Sequence, residues 1–117
     1  MITGSCHCGA VTYTFDRWPE KANSCNCSVC RRLGALWIYA DVGLVEVTGP
    51  TVPYVRGDKT LAFHHCPTCG CTTHWKGLNP DEPDAYMAVN LCLAEPEVMA
   101  QIPVRHFDGA DTWEYLD

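Results

Sequence analysis

The sequence has no apolar run of the roughly 18 residues that a membrane helix needs. Its first residues, Met1-Ile2-Thr3-Gly4-Ser5-Cys6, carry neither a basic start nor an apolar stretch, so no secretory leader is expected there. It also lacks a sustained 3.6-residue apolar period, an internal repeat and a low-complexity segment, which argues against a helical bundle, a solenoid and a disordered tail. Basic residues are few: 8 Lys and Arg face 14 Asp and Glu, for a net charge of −6. Apart from Arg31-Arg32 they are scattered, and nucleic-acid domains usually gather theirs on one face, so a nucleic-acid partner is disfavoured. No Gly-rich phosphate loop or Ser/His/Asp spacing is present.

Cysteine, in contrast, is abundant. Nine occur in 117 residues, in tight Cys-x-Cys and Cys-x-x-Cys clusters. The count is odd, and without a leader the expected compartment is a reducing cytoplasm, where disulfides are rare. Metal ligation is therefore the expected use. A chain of this length forms one domain, 1–117, whose modest core benefits from a staple.

Short segments alternate or concentrate β-branched and aromatic residues: Val11–Phe15, Ala35–Ala40, Leu44–Thr48, Val52–Arg56, Leu61–His65, Cys71–Trp75, Ala85–Asn90 and Pro103–Phe107. They predict an all-β, mainly antiparallel fold. Asp41-Val42-Gly43 suggests a hairpin joining 35–40 to 44–48, and Gly57–Thr60 a second joining 52–56 to 61–65. Pro53 assigns its strand to an edge. Residues 24–34 read as a metal loop with one helical turn, 79–84 as an acidic loop, and Glu97–Ala100 as a short helical turn.

Zn²⁺ prefers four tetrahedral ligands. Cys66-Pro67-Thr68-Cys69-Gly70 is a knuckle in which proline stiffens the turn and glycine permits a positive φ. A redox Cys-x-x-Cys would sit in a βαβ setting, which is missing. Cys6-His7-Cys8-Gly9 has the same form, one residue tighter. Cys6, Cys8, Cys66 and Cys69 are thus expected to close one site, with His7 pointing away. Cys25, Cys27 and Cys30 lie close together in the chain and can share a second ion. Spacing leaves open whether water or substrate takes the fourth position, as in catalytic zinc, or whether Cys71, Cys92 or a histidine closes it. Otherwise Cys71 and Cys92 read as small buried residues.

Four stretches, Gly4–Val11, Cys25–Arg32, Phe63–Gly70 and Val104–Trp113, make the chain resemble the glutathione-dependent formaldehyde-activating enzyme / centromere protein V family. The resemblance implies an Mss4-like β-tent pinned by two Zn²⁺. It implies a structural ion at Cys6, Cys8, Cys66 and Cys69, and a reactive, open one at Cys25, Cys27 and Cys30. The implied activity is a carbon–sulfur lyase type that condenses glutathione, or a related thiol, with formaldehyde or another small aldehyde to give S-hydroxymethylglutathione. Arg31 and Arg32 become candidates for binding glutathione carboxylates, with solvated surface residues as their simpler reading. His64, His65 and His74 are candidate general acids or satisfied strand histidines. Trp37, Trp75 and Trp113 are candidates to line a pocket or pack a core. A non-enzymatic zinc module for protein or nucleic acid, and a thiol redox or zinc-storage protein, are the alternative functions.

Overall fold

The computed structural model describes residues 1–55, 57, 60–78 and 86–117. In chain order its strands are β1 (Ile2–Ser5), β2 (Thr12–Phe15), β3 (Ala22–Cys25), β4 (Trp37–Asp41), β5 (Val45–Thr48), β6 (Val52–Val55), β7 (Leu61–His65), β8 (Thr72–Gly77), β9 (Tyr86–Asn90) and β10 (Val104–Phe107). One-turn helices α1 (Cys30–Leu33) and α2 (Pro96–Met99) interrupt them. No helix among the described residues is long and apolar enough to cross a membrane.

The strands form two sheets, a small one ordered β1-β2-β5 and a large one ordered β10-β3-β4-β9-β8-β7-β6. Every pairing is antiparallel except β10 beside β3, which is parallel. The β6–β7 hairpin appears as expected, with Val52 opposite His65 and Pro53 on the edge strand. Arg56, Asp58 and Lys59 of that hairpin, the acidic 79–84 loop and Ala85 lie outside the described residues.

The hairpin expected around Asp41-Val42-Gly43 does not form. Val42–Leu44 instead makes a 3-10 turn that carries the chain from one sheet to the other. β4 then pairs with β3 and β9, whereas β5 pairs with β2. The driving force is burial, because beside β2 Val45 and Val47 pack against the main core between the sheets. β1 and β3 are strands that the sequence patterns do not mark. Ile2 and Gly4 of β1 are inward, yet glycine hides the alternation.

Side chains alternate across a strand, so each strand of the large sheet serves two surfaces. Ile38, Ala40, Met87 and Val89 face the small sheet and join Ile2, Tyr13 and Phe15 in the main core. Trp37, Tyr39, Tyr86, Leu61, Phe63 and Trp75, on the other surface, line a cavity, and Trp37, Phe63 and Trp75 also pack a second buried cluster there. The register keeps these together: Phe63 lies opposite Trp75, Trp75 opposite Ala88, and Ala88 opposite Tyr39. Two successive sheet residues thus answer to different demands, one to packing and the next to the cavity.

Candidate metal centre and cavity

Two groups of cysteine sulfurs gather, Cys6, Cys8, Cys66 and Cys69 in one and Cys25, Cys27 and Cys30 in the other. Within each group every pair of sulfurs lies within 4.8 Å. All nine cysteines are free.

The four-sulfur group is assembled from two turns that repeat one pattern. Cys6 N–H donates to Val11 O at 2.9 Å, and Cys66 N–H to Cys71 O at 2.9 Å. Gly9 N–H returns to Cys6 O, and Gly70 N–H to Cys66 O. Gly9 and Gly70 have φ of 83° and 81°. That is the left-handed region, which costs glycine no steric penalty. The turns expose backbone N–H groups to sulfur: Val11 donates to Cys6 Sγ at 3.2 Å, Thr68 and Cys69 to Cys66 Sγ at 3.4 and 3.5 Å. Sγ–Sγ distances are 3.7 Å for Cys6–Cys8 and 3.6 Å for Cys8–Cys66. Four thiolates about 2.3 Å from one Zn²⁺ in tetrahedral array stand about 3.8 Å apart, so the donor set fits. His7 is exposed and outside the group, and Cys71 lies beside the group without joining it.

Protonation in this group is uneven. The N–H groups of Cys71 and Cys8 hold the Cys69 thiol down to about 5. At Cys8 the Ala10 N–H pulls the same way, yet burial and the neighbouring thiols outweigh it and raise the group to about 11. Crowded sulfurs cannot all be anionic together, and a divalent cation removes that conflict.

The three-sulfur group sits where β3 ends and α1 begins. Cys25 closes β3, Cys27 lies in the turn, and Cys30 opens α1. Cys27 Sγ accepts from Cys30 N–H at 3.4 Å, and Cys30 Sγ from the Trp37 indole N–H at 3.3 Å. Burial pushes the Cys30 thiol up to about 12, with the Trp37 N–H pulling partly back. At Cys27 burial acts upward as well, but the Cys30 N–H and the adjoining thiols outweigh it, so its thiol falls below the usual value. Among the described residues no fourth Cys, His, Asp or Glu completes this group. Cys92 is exposed, contrary to its expected buried role, and its thiol faces Gly34 O at 3.9 Å.

In place of a fourth ligand there is space. Cys25, Cys27 and Cys30 line a cavity of ≈ 670 Å³. Eight aromatic rings share its lining: Trp37, Tyr39, Phe63, Trp75, Tyr86, Phe107, Trp113 and Tyr115. The three tryptophans expected as pocket candidates are all there. His64, His65 and His74 are not among the lining residues. His64 and His74 stack on each other at 4.4 Å, His64 facing Thr51 Oγ1 and His74 facing Thr73 Oγ1. Arg31 and Arg32 are exposed on α1 and do not line the cavity either; Arg32 donates to Ser28 O at 2.6 Å. Two other cations, Lys21 and Arg105, lie over the ring of the lining Tyr115, at 3.8 and 4.1 Å from its centroid.

The cavity's far wall comes from the C-terminal stretch around Val104–Trp113, in which sequence reading marks a strand and the pocket candidate Trp113 but not Asp108 or Gly109. β10 runs beside β3 with Phe107 level with Cys25. Asp108 then clasps the metal loop: Asn26 Nδ2 donates to its Oδ1 at 3.0 Å, and Thr112 N and Oγ1 donate to its Oδ2. These donors hold the Asp108 carboxyl below the usual carboxylate value, Asn26 contributing most. Asn26 Oδ1 in return accepts from Ala110 N at 3.0 Å. At Gly109 any Cβ would stand 2.5 Å from Cys25 Sγ, so only glycine allows this approach. The run Phe107-Asp108-Gly109 beside a distant Asn26 is the signal that carries this wall, but it becomes readable only once β10 is known to lie on β3.

The model of the family described as glutathione-dependent formaldehyde-activating enzyme matches residues 1–107. The chain belongs to that enzyme family. Its two-sheet architecture is the Mss4-like fold of the family, and glutathione-dependent formaldehyde activation is the family's general activity. A crystal structure of a Rhodobacter sphaeroides protein is similar over 88% of this chain and 99% of that one, at 30% identity and a TM-score of 0.68. No curated protein matches.

Proposed function

We propose that the chain is a carbon–sulfur lyase that joins glutathione to formaldehyde, or to a related small aldehyde, with Cys25, Cys27 and Cys30 as the reactive centre. In this reading the enzyme holds two Zn²⁺, a structural one at Cys6, Cys8, Cys66 and Cys69 and the reactive one at the three-cysteine group. The observation that supports it is the incomplete sulfur group opening into the ≈ 670 Å³ cavity, whose lining includes no sulfur of the complete group. A bound Zn²⁺ would supply a position at which the glutathione sulfur is kept as thiolate near neutral pH.

The addition itself is simple. The thiol sulfur bonds to the carbonyl carbon, the C=O π pair moves to oxygen, and that oxygen takes a proton. Tyr115 is suited to provide one. Its hydroxyl accepts from Lys21 Nζ at 2.5 Å and donates to Asn23 Oδ1 at 2.9 Å, and the ring lines the cavity. Burial alone would raise this phenol; the Lys21 and Asn23 hydrogen bonds and the charges of Lys21 and Arg105 bring it below the usual value. That makes it a better donor near neutrality. Asn26 and Asp108 hold the cysteine loop against the C-terminal segment, and Gly109 leaves room for the Cys25 sulfur. Arg31 and Arg32 remain the proposed carboxylate partners of glutathione from the outer side of α1. Alanine at both would raise KM for glutathione without lowering kcat; unchanged KM assigns them to the surface.

The test mixes zinc-loaded protein with formaldehyde and glutathione and follows adduct exchange by NMR. Exchange faster than the uncatalysed rate is expected, and Tyr115→Phe should slow it by about 10²-fold. An uncatalysed rate with two Zn²⁺ bound would overturn the reading.

A further inference from the structure

Formaldehyde leaves most of the cavity unexplained. A carbonyl compound with one carbon and one oxygen touches little of a ≈ 670 Å³ space. Cavities of that size accommodate drug-sized ligands. Glutathione does not account for the remainder either. It carries two carboxylates and an ammonium, and no Lys, Arg, Asp or Glu is among the described residues that line the cavity. Carboxylates set against aromatic rings without partners would lose hydration for nothing in return.

The aromatic side chains are arranged in two connected sets. On the sheet, Tyr86 meets Trp75 edge-on at 5.5 Å and Trp75 meets Tyr39 at 5.8 Å. On the C-terminal segment, Phe107 contacts Trp113 at 5.6 Å and Tyr115 at 5.2 Å. Three of these rings stay wet: Trp113 is 73% exposed, Tyr86 51% and Tyr39 43%. Trp113 is also the one non-glycine residue with positive φ among those described, at 60°. A bulky residue in that region is strained. Here the Trp113 N–H bond to Asp108 O at 2.8 Å and the Asn26–Asp108 clasp keep it there. The ring therefore stands at the cavity at a conformational cost, while exposing apolar surface that a ligand would cover.

We infer that the preferred aldehyde is uncharged and carries an aryl or comparably large apolar group, which the Tyr86–Trp75–Tyr39 and Trp113–Phe107–Tyr115 rings enclose while its carbonyl faces Cys25, Cys27 and Cys30. This rests on the aldehyde-addition reading above and names the substrate class for that same site. The reaction keeps its balance: the sulfur–carbon bond forms, the carbonyl π bond becomes the hydroxyl, and the thiol proton is the net proton transferred.

Two measurements test it on zinc-loaded protein. The first titrates 2-phenylethanol, an unreactive stand-in for phenylacetaldehyde, and reads tryptophan fluorescence. Saturable quenching is expected, weakened about three- to tenfold by Trp113→Ala and similarly by Tyr86→Ala, both exposed positions whose truncation spares the core. The second compares glutathione adduct exchange with phenylacetaldehyde and with formaldehyde; the aryl aldehyde should have the higher kcat/KM. Faster exchange with formaldehyde alone, or 2-phenylethanol binding that is absent or indifferent to both variants, overturns this inference and leaves the formaldehyde reading standing. Saturable 2-phenylethanol binding with exchange of neither aldehyde accelerated overturns the addition reading, and the aldehyde assignment with it.

Discussion

The four-sulfur and three-sulfur groups use the same ligand chemistry in opposite surroundings. The first draws on two self-similar turns, 58 residues apart at Cys8 and Cys66, each closed by its own glycine and backbone hydrogen bonds. The second draws on one short stretch from the end of β3 to the start of α1 and borders a cavity. A cross-link between distant segments stabilises a fold, because it removes loop entropy from the unfolded chain. A local cluster cannot do that to the same degree, so its value lies in the position it leaves free. In the proposed function, this contrast separates an ion that holds the chain together from one that meets a ligand.

The sharpest way to break that contrast is to remove one sulfur from each group. Cys66→Ser should unfold the chain or lower its thermal midpoint by roughly 10 °C or more, since structural zinc contributes roughly 10–16 kcal/mol in small metal-folded domains. Cys27→Ser should keep the circular dichroism spectrum, drop the zinc count from two to one, and abolish accelerated adduct exchange. Equal thermal losses in the two variants would erase the distinction.

Acid offers a third comparison, because β8 carries a buried histidine, His74, that does not line the cavity. Burial, with His64 and Lys76 nearby, pushes His74 down from 6.5 to about 4. Between those values the unfolded chain binds a proton there and the folded chain does not, so stability is lost as pH falls through that window. The loss is on the order of 3 kcal/mol. His74→Gln should flatten the dependence of denaturant midpoint on pH between 6.5 and about 4, and an unchanged slope would assign acid sensitivity to sulfur protonation instead. The smallest expected effect is at the clasp. Asn26→Ala should weaken zinc at the three-sulfur group about 10- to 100-fold in a chelator competition and leave the four-sulfur group unchanged.

The four-sulfur group is legible in the sequence because each half is a self-contained turn: Cys6-His7-Cys8-Gly9 and Cys66-Pro67-Thr68-Cys69-Gly70 announce their geometry without help from other segments. The same holds for the β6–β7 hairpin and the edge position of Pro53. The 41–43 turn misleads because a short turn between apolar runs looks alike whether it reverses one sheet or links two; only the burial of Val45 and Val47 beside β2 decides. The cavity is legible only in its tryptophans. Tyr39, Phe63 and Tyr86 reach one surface through the registers of three neighbouring pairs, and Asn26, Asp108 and Gly109 meet through the single parallel pairing. Local patterns carry no record of either.

The two-faced large sheet has an evolutionary consequence. Positions 39, 61 and 86 can vary without disturbing residues 38, 40 and 87, which secure the opposite surface. Under the proposed function, substrate range can therefore drift by single steps while the architecture persists, and a library randomised at those three positions would sample new substrates on an unaltered frame.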